Sequence, residues 1–256
     1  MKKLVFLILL ICTWGLVFGQ TDLVDHQLVD YHFEYSLGTY QELTDGIILG
    51  SETSDEQMFL NPAAPLGSST KYGTGFPIGF EFYFGGYVFD VVGIHANGWL
   101  SLGQTSASPQ AVAMYSTNYQ NSPLSTTISS SHYTSNPQLV SRIAGFGRDL
   151  QAQAGASISI QTIGNAPNRT FVAQWKNYRR KSASGESFNF QIRLNEGNSQ
   201  VVIAYGEMTA STLFPSQVGM RAAPYNSAVN FATRTTETDW TASEAGISAG
   251  NTMTMS

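Results

Sequence analysis

The chain has 256 residues, a formal net charge of −5, and charged residues make up only 12% of it. This weakly acidic, charge-poor composition argues against a nucleic-acid-binding protein, which would carry a basic stripe. The single cysteine, Cys12, lies in an apolar N-terminal run, so residues 20–256 have no disulfide, no thiol nucleophile and no thiolate metal site.

The N-terminus is organised like a secretory signal peptide. Two lysines precede an apolar run over residues 4–17, and Phe18-Gly19 precede Gln20. The apolar run is shorter than the ~20 residues that a membrane-spanning helix needs. The pattern therefore favours cleavage near Gly19-Gln20, secretion or display on the outer cell surface, and no membrane span after cleavage. An uncleaved N-terminal membrane anchor is the alternative.

The segment after the cleavage site begins with a polar stretch. Residues 20–30 are expected to be a lead-in to the folded domain. In residues 31–37 aromatic and apolar residues alternate with polar ones, which predicts the first strand. Two short extended pieces follow at residues 40–43 and 47–49, separated by the turn Thr44-Asp45-Gly46.

Residues 73–103 carry the clearest pattern, which predicts three strands joined by tight turns. Alternate positions from Phe76 to Phe84 are apolar, which is the period of a half-buried strand. Gly85-Gly86 and Asn97-Gly98 are predicted to form the two turns, because Asn and Gly tolerate positive φ. An antiparallel meander is therefore expected here.

Residues 104–136 show no strand pattern and are rich in Ser, Thr and Pro. Structureless loops longer than ~15 residues are uncommon inside a domain and are often functional. We interpret this segment as a long crossover loop with room for a short helix. Its aromatic and hydrogen-bonding side chains are the candidate ligand-binding residues Tyr115, Tyr119, His132 and Tyr133. A disordered, solvated insertion is the alternative.

Apolar alternation returns after residue 139 and continues through several further predicted strands. Trp175 shares a strand face with Phe171 and Ala173, and it is therefore predicted to be a core residue. Residues 195–198 are predicted to form a hairpin turn. Residues 241–256 are polar and are interpreted as a tail or the start of a linker.

Together these patterns predict an all-β fold. A run of short strands with turn signals between them is typical of an antiparallel β-sandwich or barrel. We expect one jelly-roll-like sandwich over residues 31–240, with roughly ten to twelve strands and very little helix.

The sequence contains no motif of a known catalytic site. It has no G-x-S-x-G, no H-E-x-x-H and no cysteine pair, so the chain is not expected to be an enzyme. The alternative is a secreted glycoside hydrolase on a jelly roll, which needs two carboxylates. The best pairing for such a site is Glu81 with Glu34 or Asp90.

No cofactor is expected, and a calcium ion is the alternative. Calcium prefers oxygen ligands, and the acidic residues that could gather around it are Asp45, Glu52, Asp55 and Glu56. A solvated acidic loop is the favoured interpretation. The histidines, His26, His32, His95 and His132, are expected to be structural or exposed. The basic run Arg179-Arg180-Lys181 is expected to keep a hairpin turn soluble. Aromatic residues with no clear inward position, Trp99 among them, leave open a sugar-binding surface.

The order of several segments resembles a known type of surface module. These segments are GFPIGFEFYFGG, VGIHANGWLSLG, IAGFGRDL, FNFQIRLNEGNSQVVIAYG and VGMR. They resemble the N-terminal β-sandwich module of large secreted or surface proteins of Bacteroidota that are exported by type IX secretion. They are more distantly similar to the nidogen-like extracellular domain. The resemblance implies an extracellular β-sandwich and implies no reaction.

We therefore expect a non-catalytic extracellular module that serves adhesion or binds a glycan or a protein. The alternatives are the glycoside hydrolase and a purely structural spacer domain. An acidic pair that the resembling modules usually carry is replaced here by Arg148-Asp149 after Phe146-Gly147, so the resemblance supports no metal role at this position.

Overall fold

The computed structural model describes residues 33–50, 55–61, 70–115, 123–124, 141–211, 214, 216–221 and 251–255. These ranges contain sixteen strands and a one-turn 3-10 helix at Thr105–Ala107. The strands are β1 (Phe33–Leu37), β2 (Ile47–Gly50), β3 (Met58–Phe59), β4 (Thr70–Gly73), β5 (Phe76–Phe84), β6 (Tyr87–His95), β7 (Trp99–Gly103), β8 (Val112–Tyr115), β9 (Arg142–Gly147), β10 (Leu150–Gln151), β11 (Ser157–Ile163), β12 (Thr170–Arg180), β13 (Ser187–Asn195), β14 (Val201–Thr209), β15 (Gln217–Arg221) and β16 (Asn251–Met255).

The predicted all-β sandwich is confirmed. The larger sheet has the order β1-β16-β14-β13-β12-β11-β2, with β10 also paired to β12. The smaller sheet has the order β15-β9-β7-β6-β3, with β5 also paired to β6. The strands outnumber the ten to twelve expected partly because β3 and β10 are only two residues long. In the described part of the chain, no helix is long and apolar enough to cross a membrane.

The main core lies between the two sheets and is built from the alternating positions that the sequence indicated. In β5 the phenylalanines at 80, 82 and 84 are buried while the residues between them are exposed. Trp175 of β12 is fully buried, as predicted, and stacks on Phe190 of β13 with ring centroids 4.9 Å apart. Removing this apolar surface from water is the main contribution to stability.

Both predicted turns of the meander are present. Gly85 and Gly86 join β5 to β6 with positive φ angles of 56° and 79°. Gly98 has a φ of 82°, and a Cβ atom there would lie 2.2 Å from the carbonyl oxygen of Phe146. The turn between β6 and β7 therefore requires glycine at this position, both for its φ and for the close approach of β9.

A two-stranded ribbon of β4 and β8 forms a third layer on the smaller sheet. It belongs to a second core that includes Val91, Trp99, Val112, Met114 and Leu124. The interpretation of residues 104–136 as a long crossover loop is therefore wrong for β8, whereas the 3-10 helix agrees with the short helix that it allowed. The sequence AVAMY gave no alternation there because residues 111–114 are all buried.

Strand β16 lies inside the segment that was expected to be a polar tail. It pairs with β14 on one side and with β1 on the other. Residues 251–255 are therefore part of the larger sheet, which corrects that interpretation for these five residues. Alternating Thr and Met in NTMTM is a strand pattern, but it is too short to be distinguished by sequence alone.

Strands β1 and β2 lie at opposite edges of the larger sheet, so the chain between them must cross five strands. Six strand spacings of ~4.8 Å make about 29 Å, and the ten Cα-to-Cα steps from the end of β1 to the start of β2 span at most about 35 Å. Residues 38–46, which we call the strap, must therefore cross the outer face of the sheet in an extended conformation.

Candidate functional site

The outer face of the larger sheet carries polar side chains in rows that run across the strands. One row contains Ser159, Gln174 and Gln191, which are direct neighbours on β11, β12 and β13. The next row contains Gln161, Val172, Arg193 and Val202 on strands β11 to β14. These positions alternate with the core residues, so their facing follows from the strand period.

The strap lies on the first row and is held there through its backbone. Gln174 Oε1 accepts a hydrogen bond from the Leu43 N–H at 2.8 Å. Gln191 Nε2 donates to the Gln41 carbonyl at 2.7 Å and also to Gln174 Oε1 at 2.7 Å. Both glutamines are 1% exposed, and these contacts satisfy amides whose burial would otherwise be unfavourable.

Tyr40 anchors the strap where it crosses β14. Its ring lies over Gly206, where a Cβ atom would come within 2.9 Å of Tyr40 Cε1. Its hydroxyl donates to Gln174 Oε1 at 3.4 Å. Burial, and then the nearby Glu42 carboxylate, raises the pKa of Tyr40. The phenol therefore stays neutral and remains a donor at physiological pH.

A groove of about 340 Å³ follows one side of the strap, and we call it the outer groove. Its floor is the second row of the sheet together with residues of the next row, including Thr170 and Asn195. Its lining residues are Thr39, Gln41, Glu42, Leu43, Thr44, Gln161, Ile163, Thr170, Val172, Gln191, Arg193, Asn195 and Val202. A second depression of about 300 Å³, on the other side of the strap, includes Ser157, Ser159 and Lys176.

The outer groove is suited to hydrogen bonding and lacks a pair of acid–base groups. Among the described residues that line it, Glu42 is the only carboxylate, and it forms an ion pair with Lys176. Arg193 Nε donates to Gln191 Oε1 at 2.8 Å, which directs the guanidinium along the floor. Burial lowers the pKa of Arg193, while Tyr40 acts in the opposite direction; arginine nevertheless stays charged in proteins.

The predicted ligand-binding residues do not meet in the described part of the structure. Tyr115 is the last residue of β8 and pairs with Thr70. Tyr119, His132 and Tyr133 lie outside the described residues. Their grouping as a site stays a prediction. Sequence reasoning missed the outer groove, although its amides sit at alternate positions of strands that were correctly placed.

Trp99 does not belong to an aromatic surface, because it is fully buried. It stacks on His95 with ring centroids 4.8 Å apart, and the Arg142 guanidinium lies 4.9 Å from its ring centroid. His95 is also fully buried. Its Nδ1 accepts a hydrogen bond from the Asn97 N–H at 3.0 Å. Burial, and then the charge of Arg142, lowers the pKa of His95 to about 3.

Two of the four residues weighed for calcium do come together. Asp55 and Glu56 lie with Asp149, and one oxygen of each falls within 4.8 Å of the others. The Lys181 ammonium lies 3.3 Å from Glu56 and 3.6 Å from Asp55, so the cluster carries its own cation. Asp45 is engaged separately with the Thr44 hydroxyl, and Glu52 lies outside the described residues.

Two residues of the basic run 179–181 form ion pairs with acidic side chains, so the run does more than keep a hairpin turn soluble. Arg180 forms an ion pair with Glu186, whose side chain is fully buried. Burial by itself raises the pKa of Glu186, but hydrogen bonds from Arg180 and Ser211 outweigh it and lower this pKa to about 2. Lys181 belongs to the acidic cluster, and Arg179 donates to Gln151 Oε1 at 3.1 Å.

The carboxylates weighed for a glycosidase lie on different elements. Glu34 is on β1 of the larger sheet, whereas Glu81 and Asp90 are on β5 and β6 of the smaller one. Asp90 Oδ1 accepts a hydrogen bond from the Thr105 N–H at 2.7 Å. Glu81 is exposed, and its carboxylate accepts from the Tyr83 hydroxyl at 3.4 Å.

Comparison with known proteins places the chain in a family. The chain matches the NIDO-related family over residues 30–255, which agrees with the resemblance of its strand segments to the nidogen-like extracellular domain. No curated protein matches it significantly, and no solved structure does. Since the match covers most of the chain, including β1 and β16, the protein belongs to the NIDO-related family and is an extracellular-type β-sandwich module.

Proposed function

We propose that this domain is a non-catalytic extracellular binding module and that its ligand site is the outer groove. The observation that carries the proposal is the composition of that groove. It is open, its floor is formed by paired strands, and it offers amide, hydroxyl and guanidinium groups. Such groups recognise ligands by hydrogen bonding, and rigid sheets hold them in place with little loss of entropy on binding.

The same composition favours binding over hydrolysis. General acid–base catalysis of glycoside cleavage requires two suitably spaced carboxyl groups. The outer groove has one, Glu42, which is already paired with Lys176. A ligand would therefore be held and released unchanged.

A groove-filling substitution tests the proposal. Gln161→Trp places a bulky ring in the outer groove, and Gln110→Trp is the matched control, since Gln110 is an exposed residue outside it. The full chain and both variants would be applied to arrays of glycans and of extracellular proteins, with release of reducing sugar from polysaccharides measured in parallel. We expect binding without turnover, weakened at least tenfold by Gln161→Trp alone. Equal binding by both variants, or sugar release, would overturn the proposal.

We also propose that the module acts outside the cell after removal of residues 1–19. The apolar run at residues 4–17 and the family membership support this setting. The cleavage site lies outside the described residues. Mass spectrometry of the secreted protein should give an N-terminus at Gln20, and secreted material beginning at Met1 would contradict it. Export by a type IX system, as in the Bacteroidota modules it resembles, belongs to the same proposal.

A further inference from the structure

The outer face of the larger sheet already binds one extended segment, the strap. The contacts that hold the strap indicate which kind of ligand this face can bind. Three residues of these rows form hydrogen bonds with main-chain atoms of the strap. Gln174 accepts from the Leu43 N–H, Gln191 donates to the Gln41 carbonyl, and Arg193 donates to the Thr39 carbonyl at 3.4 Å. The polar side chains of these rows thus form hydrogen bonds with the backbone of a segment that crosses the strands.

The row beside the strap repeats this chemistry in the outer groove. Gln161 faces the groove, and within the described part of the chain its side-chain amide makes no hydrogen bond. Arg193 uses Nε for Gln191 and Nη2 for the strap, which leaves Nη1 directed to no acceptor among the described residues. The Gln161 side-chain amide, which can both accept and donate, and the Arg193 Nη1 donor therefore remain available to bind a second extended segment.

The spacing of these groups matches an extended polypeptide. Gln161 and Arg193 are separated by Val172 on the strand between them, so they lie two strands apart. Two strand spacings are about 9.6 Å, close to the ~10 Å that three residues of extended chain span. Val202 of this row is partly exposed, and Ile163, which lines the same groove, is 43% exposed. They would contact apolar side chains of the bound segment.

The charge of the described groove-lining residues, and the absence of aromatic side chains among them, restrict the chemical class of the ligand further. Arg193 is the single cationic residue among the groove lining, and the one carboxylate there, Glu42, pairs with Lys176. A guanidinium at this position favours a carboxylate on the ligand, through a charge-assisted hydrogen bond. No Tyr, Trp or Phe is found among the described residues that line the outer groove, so these residues offer no aromatic stacking surface for a flat ligand.

We propose that the outer groove binds an extended segment of a partner protein that carries an Asp or Glu, laid beside the strap and held through its backbone by Gln161 and through its carboxylate by Arg193. This inference rests on the proposed function, since it names the ligand class for the same groove. The strap, an extended segment held through its backbone on the same face of the sheet, is an example of this binding mode within the chain itself.

The experiment uses a displayed library of random linear peptides, selected on the full chain. Selected peptides would then be measured against Gln161→Glu, which places a negative charge in the groove, and against Gln110→Glu as the matched exposed control. We expect acidic peptides, with at least tenfold weaker binding to Gln161→Glu and unchanged binding to Gln110→Glu. Replacing the peptide Asp or Glu by its amide should weaken binding to the wild type by a similar factor.

Two other outcomes separate this inference from the proposed function. If no peptide is selected while a glycan array gives binding that Gln161→Trp abolishes, the groove is a binding site for sugars and the peptide inference is wrong. If peptides are selected but Gln161→Glu and Gln110→Glu bind them equally, the peptide site lies elsewhere and the inference is again wrong. If neither glycans nor peptides respond to any groove substitution, the proposed function fails as well.

Discussion

At the scale of single residues, Trp175 connects the two sheets of the sandwich. Its ring stacks on Phe190 within the larger sheet, and its Nε1 donates to the His95 carbonyl of the smaller sheet at 3.1 Å. Trp175 is therefore both a large apolar core residue and a hydrogen-bonded link between the layers. Buried tryptophans with a satisfied N–H combine these two contributions.

Trp175→Ala should destabilise the protein by about 3–5 kcal/mol, because it leaves a cavity in the main core and removes a hydrogen bond between the two sheets. Denaturant melts followed by circular dichroism would measure the change. Tyr83→Ala is the control variant, because that side chain is 53% exposed. Trp240 does not serve as the control, because it lies outside the described residues. A loss below ~1 kcal/mol for Trp175→Ala would contradict the assignment.

His95 makes stability depend on pH. Its pKa is about 3 in the folded protein and 6.5 in the unfolded chain. Between these values the unfolded state binds a proton that the folded state does not, so stability is complete above pH ~6.5 and falls as the pH is lowered toward 3. His95→Gln should flatten the curve of unfolding free energy against pH between 6.5 and about 5, where few carboxylates titrate.

Chemical denaturation at a series of pH values would measure that slope. An unchanged slope in His95→Gln would mean that other groups dominate the acid response. A slope of opposite sign in the wild type would mean that the buried imidazole is charged.

At the scale of elements, the strap depends on one small residue. Gly206 of β14 leaves room for the Tyr40 ring, and a Cβ there would come within 2.9–3.1 Å of three ring atoms. The polar ladder of Gln174, Gln191 and Arg193 is arranged around the strap that Tyr40 anchors. Displacing the ring should therefore loosen the wall of the outer groove without removing any core residue.

Gly206→Val should displace Tyr40 and increase hydrogen exchange at Gln41 and Leu43, while exchange in the centre of β12 stays slow. Exchange monitored by mass spectrometry would resolve this pattern. Gly86→Val is the contrasting variant, because a side chain at that turn meets nothing within 4 Å, although its φ of 79° is strained for valine. Equal protection of the strap in Gly206→Val and wild type would show that Tyr40 is not its anchor.

At the scale of the whole molecule, the two ends of the described chain meet in one sheet. Strand β16 separates β1 from β14, and among the described strands β1 pairs only with β16. Because β1 leads directly into the strap, residues 251–255 hold one end of the segment that forms the wall of the outer groove. The strap is thus linked to a strand more than two hundred positions away in the chain.

A variant that ends at residue 250 should lose β1 from the sheet, release the N-terminal end of the strap and expose the edge of β14. Exposed strand edges pair with other chains, so we expect a lower melting temperature together with concentration-dependent association. Thermal melts and size-exclusion chromatography would show both effects. A monomer with the melting temperature of the full chain would show that β16 contributes nothing to the sheet.

The sequence by itself determined the strands whose two faces differ in polarity. Phe76 to Phe84 alternate because one face meets the core and the other meets water. Residues 187–195 alternate because one face meets the core and the other carries polar side chains. Asn97-Gly98 identified a turn because its backbone requires a residue that tolerates positive φ. These are local properties, and periodicity or turn chemistry is sufficient to predict them.

Only the tertiary structure decided which strands are neighbours and which polar face is covered. Gln174 and Gln191 look like ordinary exposed amides in the sequence, yet they are buried because the strap crosses over them. Strand β8 was missed because both of its faces are buried, which removes the polar alternation. Strand β16 and the outer groove depend on contacts between distant parts of the chain, and such contacts leave no periodic pattern in a local stretch of sequence.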